Sequence, residues 1–233
     1  MSPGRADPTG SRAHLVGVLL AAGAGTRMGG PKALVGPLAG PESPVSQVAS
    51  WMHAGGCDEV VVVIGARAAD VRASLPPHPW LSVVEATDWS RGMGASLRAG
   101  LAYATGSDAD AALVTLVDLP DVRTPVFERL LAEAGSDDSV LARAAYQGRP
   151  GHPVLIGRSW WATAAGLARG DMGARELFAT RPHRLVECGD LASGADADLP
   201  PGADADVPPA ADPGLPPTAA TTSPDVQSSW RQT

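Results

Sequence analysis

Apolar runs alternate with helix-like segments along most of the chain. The runs are short and rich in Val, Leu and Ala, and they predict strands at 15–22, 59–65, 81–85, 111–117, 139–144, 153–156 and 183–187. Segments with helical periodicity lie between them and predict helices at 45–54, 68–74, 95–104, 125–134, 159–168 and 174–179. Continuously apolar strands are typical of a sheet covered on both faces. We therefore expect an α/β fold, with a mostly parallel sheet and helices on both faces.

Composition changes at both ends of this pattern. Residues 1–13 are polar and contain Gly and Pro, and we expect a disordered N-terminus. Residues 14–188 carry the predicted strands and helices and form one domain. Residues 189–233 are rich in Ala, Asp, Pro and Gly. Because such a segment buries too little apolar surface to offset its ordering entropy, we expect it to be a disordered, low-complexity acidic tail.

Charge and hydropathy exclude two classes of partner. The formal net charge is −7, and residues 189–233 supply most of it with seven Asp and one Arg. The nearly neutral domain argues against a nucleic-acid surface. No apolar stretch reaches the roughly 20 residues that span a membrane, and the N-terminus lacks a targeting pattern. We therefore expect a cytoplasmic protein. Cys57 and Cys188 follow no metal-ligand spacing and are interpreted as reduced structural thiols.

The only lysine of the chain lies in a glycine-rich loop after the first predicted strand. The loop reads Leu-Ala-Ala-Gly-Ala-Gly-Thr-Arg-Met-Gly-Gly-Pro-Lys over residues 20–32. Glycines let a backbone approach phosphate oxygens closely. Arg27 can bind those oxygens as a planar fork, and Lys32 supplies a compact charge from what we expect to be an exposed position. We interpret this loop as a triphosphate cradle.

Two common glycine loops fit this spacing poorly. A P-loop needs Gly-Lys-Ser/Thr, whereas Pro31 precedes Lys32 and Ala33 follows it. A dinucleotide fingerprint needs two residues before its third glycine, and here there are three.

The loop instead resembles the LAAGxGxRMGxPK signature of the MobA-like NTP transferase superfamily. Over about residues 15–188 the chain is most similar to the molybdenum-cofactor cytidylyltransferase-like group. The resemblance implies a Rossmann-like nucleotidyltransferase fold. It assigns the nucleotide to the loop residues Leu20, Ala21, Ala22, Gly23, Gly25, Arg27 and Lys32.

A carboxylate ends the fourth predicted strand, where Asp118 precedes Leu119 and Pro120. Parallel strands end at one edge of a sheet, so Asp118 should face the same crevice as the glycine loop. A hard cation that bridges phosphates needs an oxygen ligand there. Asp118 is therefore the candidate Mg²⁺ ligand, as the resemblance also implies; the alternative is a turn or helix cap. Asp121 is interpreted as local turn chemistry.

Three further segments resemble family motifs. Gly94 and Ser96 lie in a Gly-Met-Gly-x-Ser-Leu stretch, which implies contact with the nucleotide base; a helix-start role is the alternative. His152 lies in a Gly-x-Pro-Val-Leu segment, and Asp171 and Arg175 lie in Gly-Asp-x-Gly-Ala-Arg. The resemblance places these three on the acceptor side, although a structural role for His152 and a helix cap for Asp171 stay open.

One departure from the family concerns the second metal ligand. Relatives often end the domain with Asp-Ile-Asp-Thr-Pro, and the nearest match here is Asp-Ala-Asp-Leu-Pro at 196–200, inside the predicted tail. Either this segment folds back to bring Asp196 or Asp198 to the metal, or the metal has one protein carboxylate and more water.

These observations predict a Mg²⁺-dependent nucleotidyltransferase. A phosphate of the acceptor would attack the α-phosphorus of a nucleoside triphosphate and pyrophosphate would leave, with Arg27, Lys32 and Asp118 as catalytic residues. The resemblance implies CTP as the favoured nucleotide, with GTP second, and a molybdopterin-type phosphate as acceptor. It also admits a molybdoenzyme or its chaperone as a protein partner.

Two other functions stay open. An NAD(P)H-dependent oxidoreductase would use the same glycine loop for a dinucleotide. It is disfavoured by the loop spacing and by Arg67, which stands where an acidic residue would follow the second strand, although Arg67 could meet a 2′-phosphate. A non-catalytic chaperone for the molybdenum cofactor would keep the acceptor side and need no metal ligand.

Overall fold

Strands and helices alternate up to the fifth strand, after which another strand, two helices and a last strand follow. The computed structural model describes residues 13–26, 29–35 and 42–196. Its strands are β1 (Leu15–Leu20), β2 (Glu59–Ile64), β3 (Leu81–Glu85), β4 (Ala111–Leu116), β5 (Leu141–Tyr146), β6 (Arg149–Gly157) and β7 (Arg184–Glu187). Its helices are α1 (Pro44–Ala54), α2 (Ala68–Ala73), α3 (Met93–Thr105), α4 (Thr124–Ala134), α5 (Trp161–Leu167) and α6 (Arg175–Thr180). Every predicted element is present in this part of the chain.

The strands of the described residues form one sheet in the order β3-β2-β1-β4-β6-β5-β7. All neighbours pair in parallel except that β6 runs antiparallel to β4 and β5. The mostly parallel sheet is thus confirmed. Strand β6 begins at Arg149, earlier than predicted, because Gln147 and Gly148, with φ of 54° and 77°, form a tight hairpin turn after β5.

The core lies on both faces of the sheet. Side chains of β1 alternate, so that Leu15 and Leu19 pack towards α1 and α4, while Val16 and Val18 pack towards α3 and α5. A strand with both faces covered needs apolar residues at every position, which explains the unbroken runs in the sequence. The cysteines are also buried and form no disulfide.

The folded part of the chain extends past the predicted domain boundary at residue 188. Residues 189–196, which we name the C-terminal strap, lie on the domain surface. Asp190 forms an ion pair with Arg129 of α4, and Leu191 and Ala192 pack against the core. The assignment of these residues to a disordered tail is therefore corrected. Asp198 and the rest of the predicted tail lie outside the described residues.

Within the described ranges, none of the helices is long and apolar enough to cross a lipid bilayer.

Candidate functional site

The order of the sheet places a crevice at the end of β1. Strands β1 and β4 are neighbours in the sheet. The chain leaves β1 for β2 on one side and leaves β4 for β5 on the other side, so the connections that follow β1 and β4 run in opposite directions. Ligands of such sheets bind outside the carboxyl ends of the strands at this point. A cleft of about 430 Å³ lies there, and it is lined by both the glycine loop and the end of β4.

The glycine loop has the geometry of an anion cradle. Gly25 has a φ of 57°, and its carbonyl accepts the N–H of Gly30 at 3.2 Å. A Cβ atom at Gly25 would lie 1.9 Å from the Gly30 oxygen, so the turn requires glycine. The N–H groups of residues 23–26 donate to no other described residue. They are therefore available to phosphate oxygens.

Most predicted loop residues line the cleft. These are Leu20, Ala22, Gly23, Gly25 and Lys32. Ala21 does not, because it is buried and donates its N–H to Val63 of β2. Arg27 lies outside the described residues.

Lys32 bridges two carboxylates at the mouth of the cleft. Its Nζ lies 2.7 Å from Asp118 Oδ2 and 3.0 Å from Asp196 Oδ1. Only 16% of the Lys32 side chain is exposed, so the expectation of an exposed lysine is corrected. The strap supplies Asp196, one of the two carboxylates that contact the ammonium. Lysine, loop and two carboxylates thus meet at one point.

Asp118 suits a hard cation. Burial raises the pKa of its carboxyl, while the hydrogen bond from Lys32 opposes that shift. Its Oδ1 atom is buried and accepts no hydrogen bond from the described residues. A buried oxygen without a partner is costly, and a divalent cation would satisfy it.

Two carboxylates, those of Asp118 and Asp196, are the acidic groups that the described residues bring to the Lys32 ammonium. In the described part of the chain, no group of three His, Cys, Asp or Glu side chains could hold a metal ion. The pair Asp118 and Asp196 therefore fits a cation such as Mg²⁺, which protein sites hold through one or two carboxylates together with phosphates and water.

The start of α3 forms another wall of the cleft. Ser96 is 5% exposed and lines it, as a residue near a ligand should. Gly94 does not line it. A Cβ atom there would lie 2.8 Å from the backbone of Ala168 and Arg169, so glycine is needed for close packing of α3 on that loop.

Asp171 is the only one of the three acceptor-side candidates that lines this cleft among the described residues. Its Oδ1 accepts the N–H of Met93, the first residue of α3, at 3.4 Å. Asp171 therefore caps α3 rather than the helix that follows it. This contact joins the predicted acceptor side to the predicted base side.

His152 and Arg175 lie near a half-buried cation, Arg143, that the sequence did not indicate. Burial, and next the charge of Arg143, lower the pKa of His152 to about 4, so the imidazole is neutral at pH 7. Burial also lowers the pKa of Arg143, and the charge of Arg175 adds to that effect. Arg143 donates to the carbonyl of Gly151 at 3.3 Å and lies over the Phe178 ring. The three side chains form a basic cluster.

Several residues that line the cleft were missed by sequence reasoning. They add an apolar wall and two hydroxyls, and they are Thr26, Trp89, Ser90, Met93, Leu116 and Val117. Trp89 and Ser90 lie in a turn just before the Gly-Met-Gly stretch, and that position is the one signal that could have indicated them.

Comparison with known proteins gives matches over most of the domain. A family model for the MobA-like NTP transferase domain matches residues 17–186. The chain is also 40% identical over 196 residues to the nicotine blue oxidoreductase of Paenarthrobacter nicotinovorans, a match that covers 79% of this chain and 92% of that protein.

Solved structures share the fold. Rv0371c from Mycobacterium tuberculosis H37Rv has 25% identity and a TM-score of 0.62, over 76% of this chain and 88% of that one. Its complex with manganese has 24% identity and a TM-score of 0.58, over 75% and 86%. A nucleotidyl transferase from Methanothermobacter thermautotroptrophicus has 24% identity and a TM-score of 0.62, over 75% and 87%.

Proposed function

The chain belongs to the MobA-like NTP transferase family, and we propose that it transfers a nucleoside monophosphate from a triphosphate to a phosphorylated acceptor. One observation carries this proposal: the Lys32 ammonium lies between the carboxylates of Asp118 and Asp196 at the glycine loop. The site thus combines a cation for a leaving phosphate with oxygen ligands for a divalent metal.

In this proposal the reaction forms a bond between an acceptor phosphate oxygen and the α-phosphorus, and it breaks the bond to pyrophosphate. The N–H groups of residues 23–26 hold the triphosphate in line for attack. Asp118 and Asp196 are the residues that would hold Mg²⁺, and the ion would supply positive charge against the phosphates. Lys32 has a flexible stem, so its ammonium can turn from the carboxylates to the departing pyrophosphate. We expect Arg27 to assist it.

The proposed base site is the α3 side of the cleft. Ser96 offers a hydroxyl there, and Trp89 and Met93 offer apolar surface on which a base can rest. The family resemblance favours CTP, with GTP second.

The proposed acceptor is an anion, with a molybdopterin-type phosphate favoured by the resemblance. Asp171 marks that end of the cleft. Because His152 is neutral while Arg143 and Arg175 are cationic, this cluster is the candidate partner of an anionic group on the acceptor.

A ligand panel tests this function. Thermal denaturation is measured with CTP, GTP, ATP or UTP, each with and without Mg²⁺, and pyrophosphate release is followed after a phosphorylated pterin is added. We expect Mg²⁺-dependent stabilisation that is largest for CTP. If no triphosphate stabilises the protein in the presence of Mg²⁺, the proposal is wrong.

The second candidate is an NAD(P)H-dependent oxidoreductase. It is favoured by the 40% identity to a protein named as an oxidoreductase. Against it, the glycine loop has three residues where the dinucleotide fingerprint has two before its third glycine. Arg67 is also engaged, since its Nε lies 2.7 Å from Asp70 Oδ2. Stabilisation by NADPH without Mg²⁺, together with NADPH oxidation, would favour this candidate. Stabilisation by the molybdenum cofactor alone would favour the non-catalytic chaperone.

A further inference from the structure

Asp121 makes a contact that its neighbours in sequence do not explain. Its Oδ2 atom accepts two hydrogen bonds from Ser193 of the C-terminal strap, from the backbone N–H at 2.6 Å and from the hydroxyl at 2.5 Å. The two residues are 72 positions apart. The interpretation of Asp121 as local turn chemistry is therefore corrected. Its carboxylate joins the loop after β4 to the strap.

The same loop and the same strap meet a second time at Lys32. Asp118 stands three residues before Asp121, and Asp196 stands three residues after Ser193. Both of these carboxylates contact the Lys32 ammonium. Three residues span at most about 10 Å. Fixing Ser193 on Asp121 therefore confines Asp196 to the neighbourhood of Lys32.

The contacts around Ser193 turn the strap in this direction. The Ser193 hydroxyl accepts the N–H of Ala195 at 3.2 Å. Gly194 lies so close to the Tyr146 ring that a Cβ atom would be 2.3 Å from its Cδ2. The ion pair of Asp190 with Arg129 holds the start of the strap but lies six residues before Asp196. Among the described residues, the hydrogen bonds of Ser193 to Asp121 are thus the last polar contacts between the strap and the rest of the domain before Asp196 itself.

We propose that Asp121 is a positioning residue that fixes Ser193 and so delivers Asp196 to Lys32 and to the metal site. As far as the metal is concerned, this inference rests on the proposed function. The strap is then a part of the cleft, and its register on the loop after β4 decides whether the second carboxylate is present.

The single lysine of the chain gives a direct test. Acylation of Lys32 by N-hydroxysuccinimidyl acetate is followed by peptide mass spectrometry, in which the N-terminal amine falls on a different peptide. Asp196→Ala removes one partner of the ammonium and should speed acylation. Asp121→Ala should speed it by the same factor, and the double variant should react no faster than Asp196→Ala. Asp121→Asn keeps an oxygen that accepts both hydrogen bonds and should stay near the wild-type rate.

Asp137 provides a matched control. It also accepts an N–H and a hydroxyl hydrogen bond, at 2.9 Å and 2.6 Å, but from Ser139 in a local turn. Asp137→Ala should leave Lys32 acylation unchanged. The inference is overturned if Asp121→Ala reacts at the wild-type rate while Asp196→Ala reacts faster, or if the two effects multiply in the double variant.

Binding of Mn²⁺ alone, measured by electron paramagnetic resonance, separates this inference from the proposed function. We expect Asp118→Asn to abolish binding, and Asp196→Ala and Asp121→Ala to weaken it equally, by about 10-fold or more. If Asp121→Ala changes neither acylation nor Mn²⁺ affinity while Asp118→Asn abolishes binding, the inference fails and the proposed function stands. If acylation follows the prediction but the wild type binds no Mn²⁺, the metal role fails and the positioning role stands.

Discussion

Replacing Lys32 by methionine should destabilise the protein in a way that a divalent cation reverses. Lys32→Met keeps an apolar stem of similar length and removes the charge that lies between Asp118 and Asp196. Two carboxylates are then left near each other without their shared cation. The repulsion between them raises the free energy of the folded state, whereas in the unfolded chain the two carboxylates are far apart.

The magnitude follows from burial. Losing one partner of a fully buried ion pair costs about 3–5 kcal/mol, and exposed pairs contribute about 0–1 kcal/mol. The side chains of Lys32 and Asp118 are each 16% exposed, and that of Asp196 is 41% exposed. We therefore expect an intermediate loss of about 2 kcal/mol. For a domain of this size that corresponds to a fall in Tm of about 4–8 °C.

Thermal denaturation with and without Mg²⁺ is the assay. A cation that binds the folded state stabilises it in proportion to the logarithm of its concentration over its Kd. Since the variant's carboxylates have lost their ammonium, Mg²⁺ should raise its Tm more than that of the wild type. Arg67→Ala is the control, because it breaks a pair whose side chains are 58% and 54% exposed. It should change Tm little and show no added Mg²⁺ effect.

Two outcomes would refute the reasoning about this pair. One is a Lys32→Met protein as stable as the wild type without divalent cations. The other is an equal gain in Tm from Mg²⁺ in both proteins, which would mean that the ammonium and the metal do not share the two carboxylates.

The remaining predictions concern the loop, the strap and β7. Gly25→Ala should cost about 1–3 kcal/mol, because alanine is strained at this positive φ, and should weaken triphosphate binding measured by calorimetry. A chain that ends at Asp196 should match the full chain in Tm, whereas one that ends at Cys188 should melt lower because it lacks the strap. Three backbone N–H groups lower the pKa of Glu187 below its ordinary 4.5, so its stabilisation is present above that pH and is lost as the pH falls through the lower, folded pKa. The Tm difference between the wild type and Glu187→Gln should therefore shrink in acid, and a constant difference would contradict this.

Much of the fold could be predicted because buried parallel strands appear in the sequence as unbroken apolar runs. Strands β1, β2 and β4 are apolar at almost every position, and this follows from cover on both faces. The glycine loop follows β1 directly, and Asp118 lies just after β4. Because parallel strands end at one edge of a sheet, the sequence correctly predicted that the loop and Asp118 face the same crevice.

The strap could not be predicted, because its composition resembles that of the acidic tail. Its contacts are the polar ones of Asp190 and Ser193 and the packing of two apolar side chains, Leu191 and Ala192, which are too few to form a recognisable pattern. The burial of Lys32 was also missed, because its carboxylate partners are 86 and 164 positions away in sequence. The close packing of α3 at Gly94 could not be predicted either, because a glycine that allows close packing and a glycine that faces a ligand look alike in sequence.

The most direct test of the central claim is the affinity for nucleotide, with and without Mg²⁺, in the wild type and in Asp118→Asn, measured beside pyrophosphate release and NADPH oxidation. The substitution keeps the size of the side chain and removes the charge that binds a hard cation. We predict that Mg²⁺ strengthens nucleotide binding in the wild type but not in the variant, and that pyrophosphate release collapses. Unchanged Mg²⁺ dependence in Asp118→Asn, or NADPH oxidation that survives the substitution in a protein that releases no pyrophosphate, would contradict metal-dependent nucleotidyl transfer.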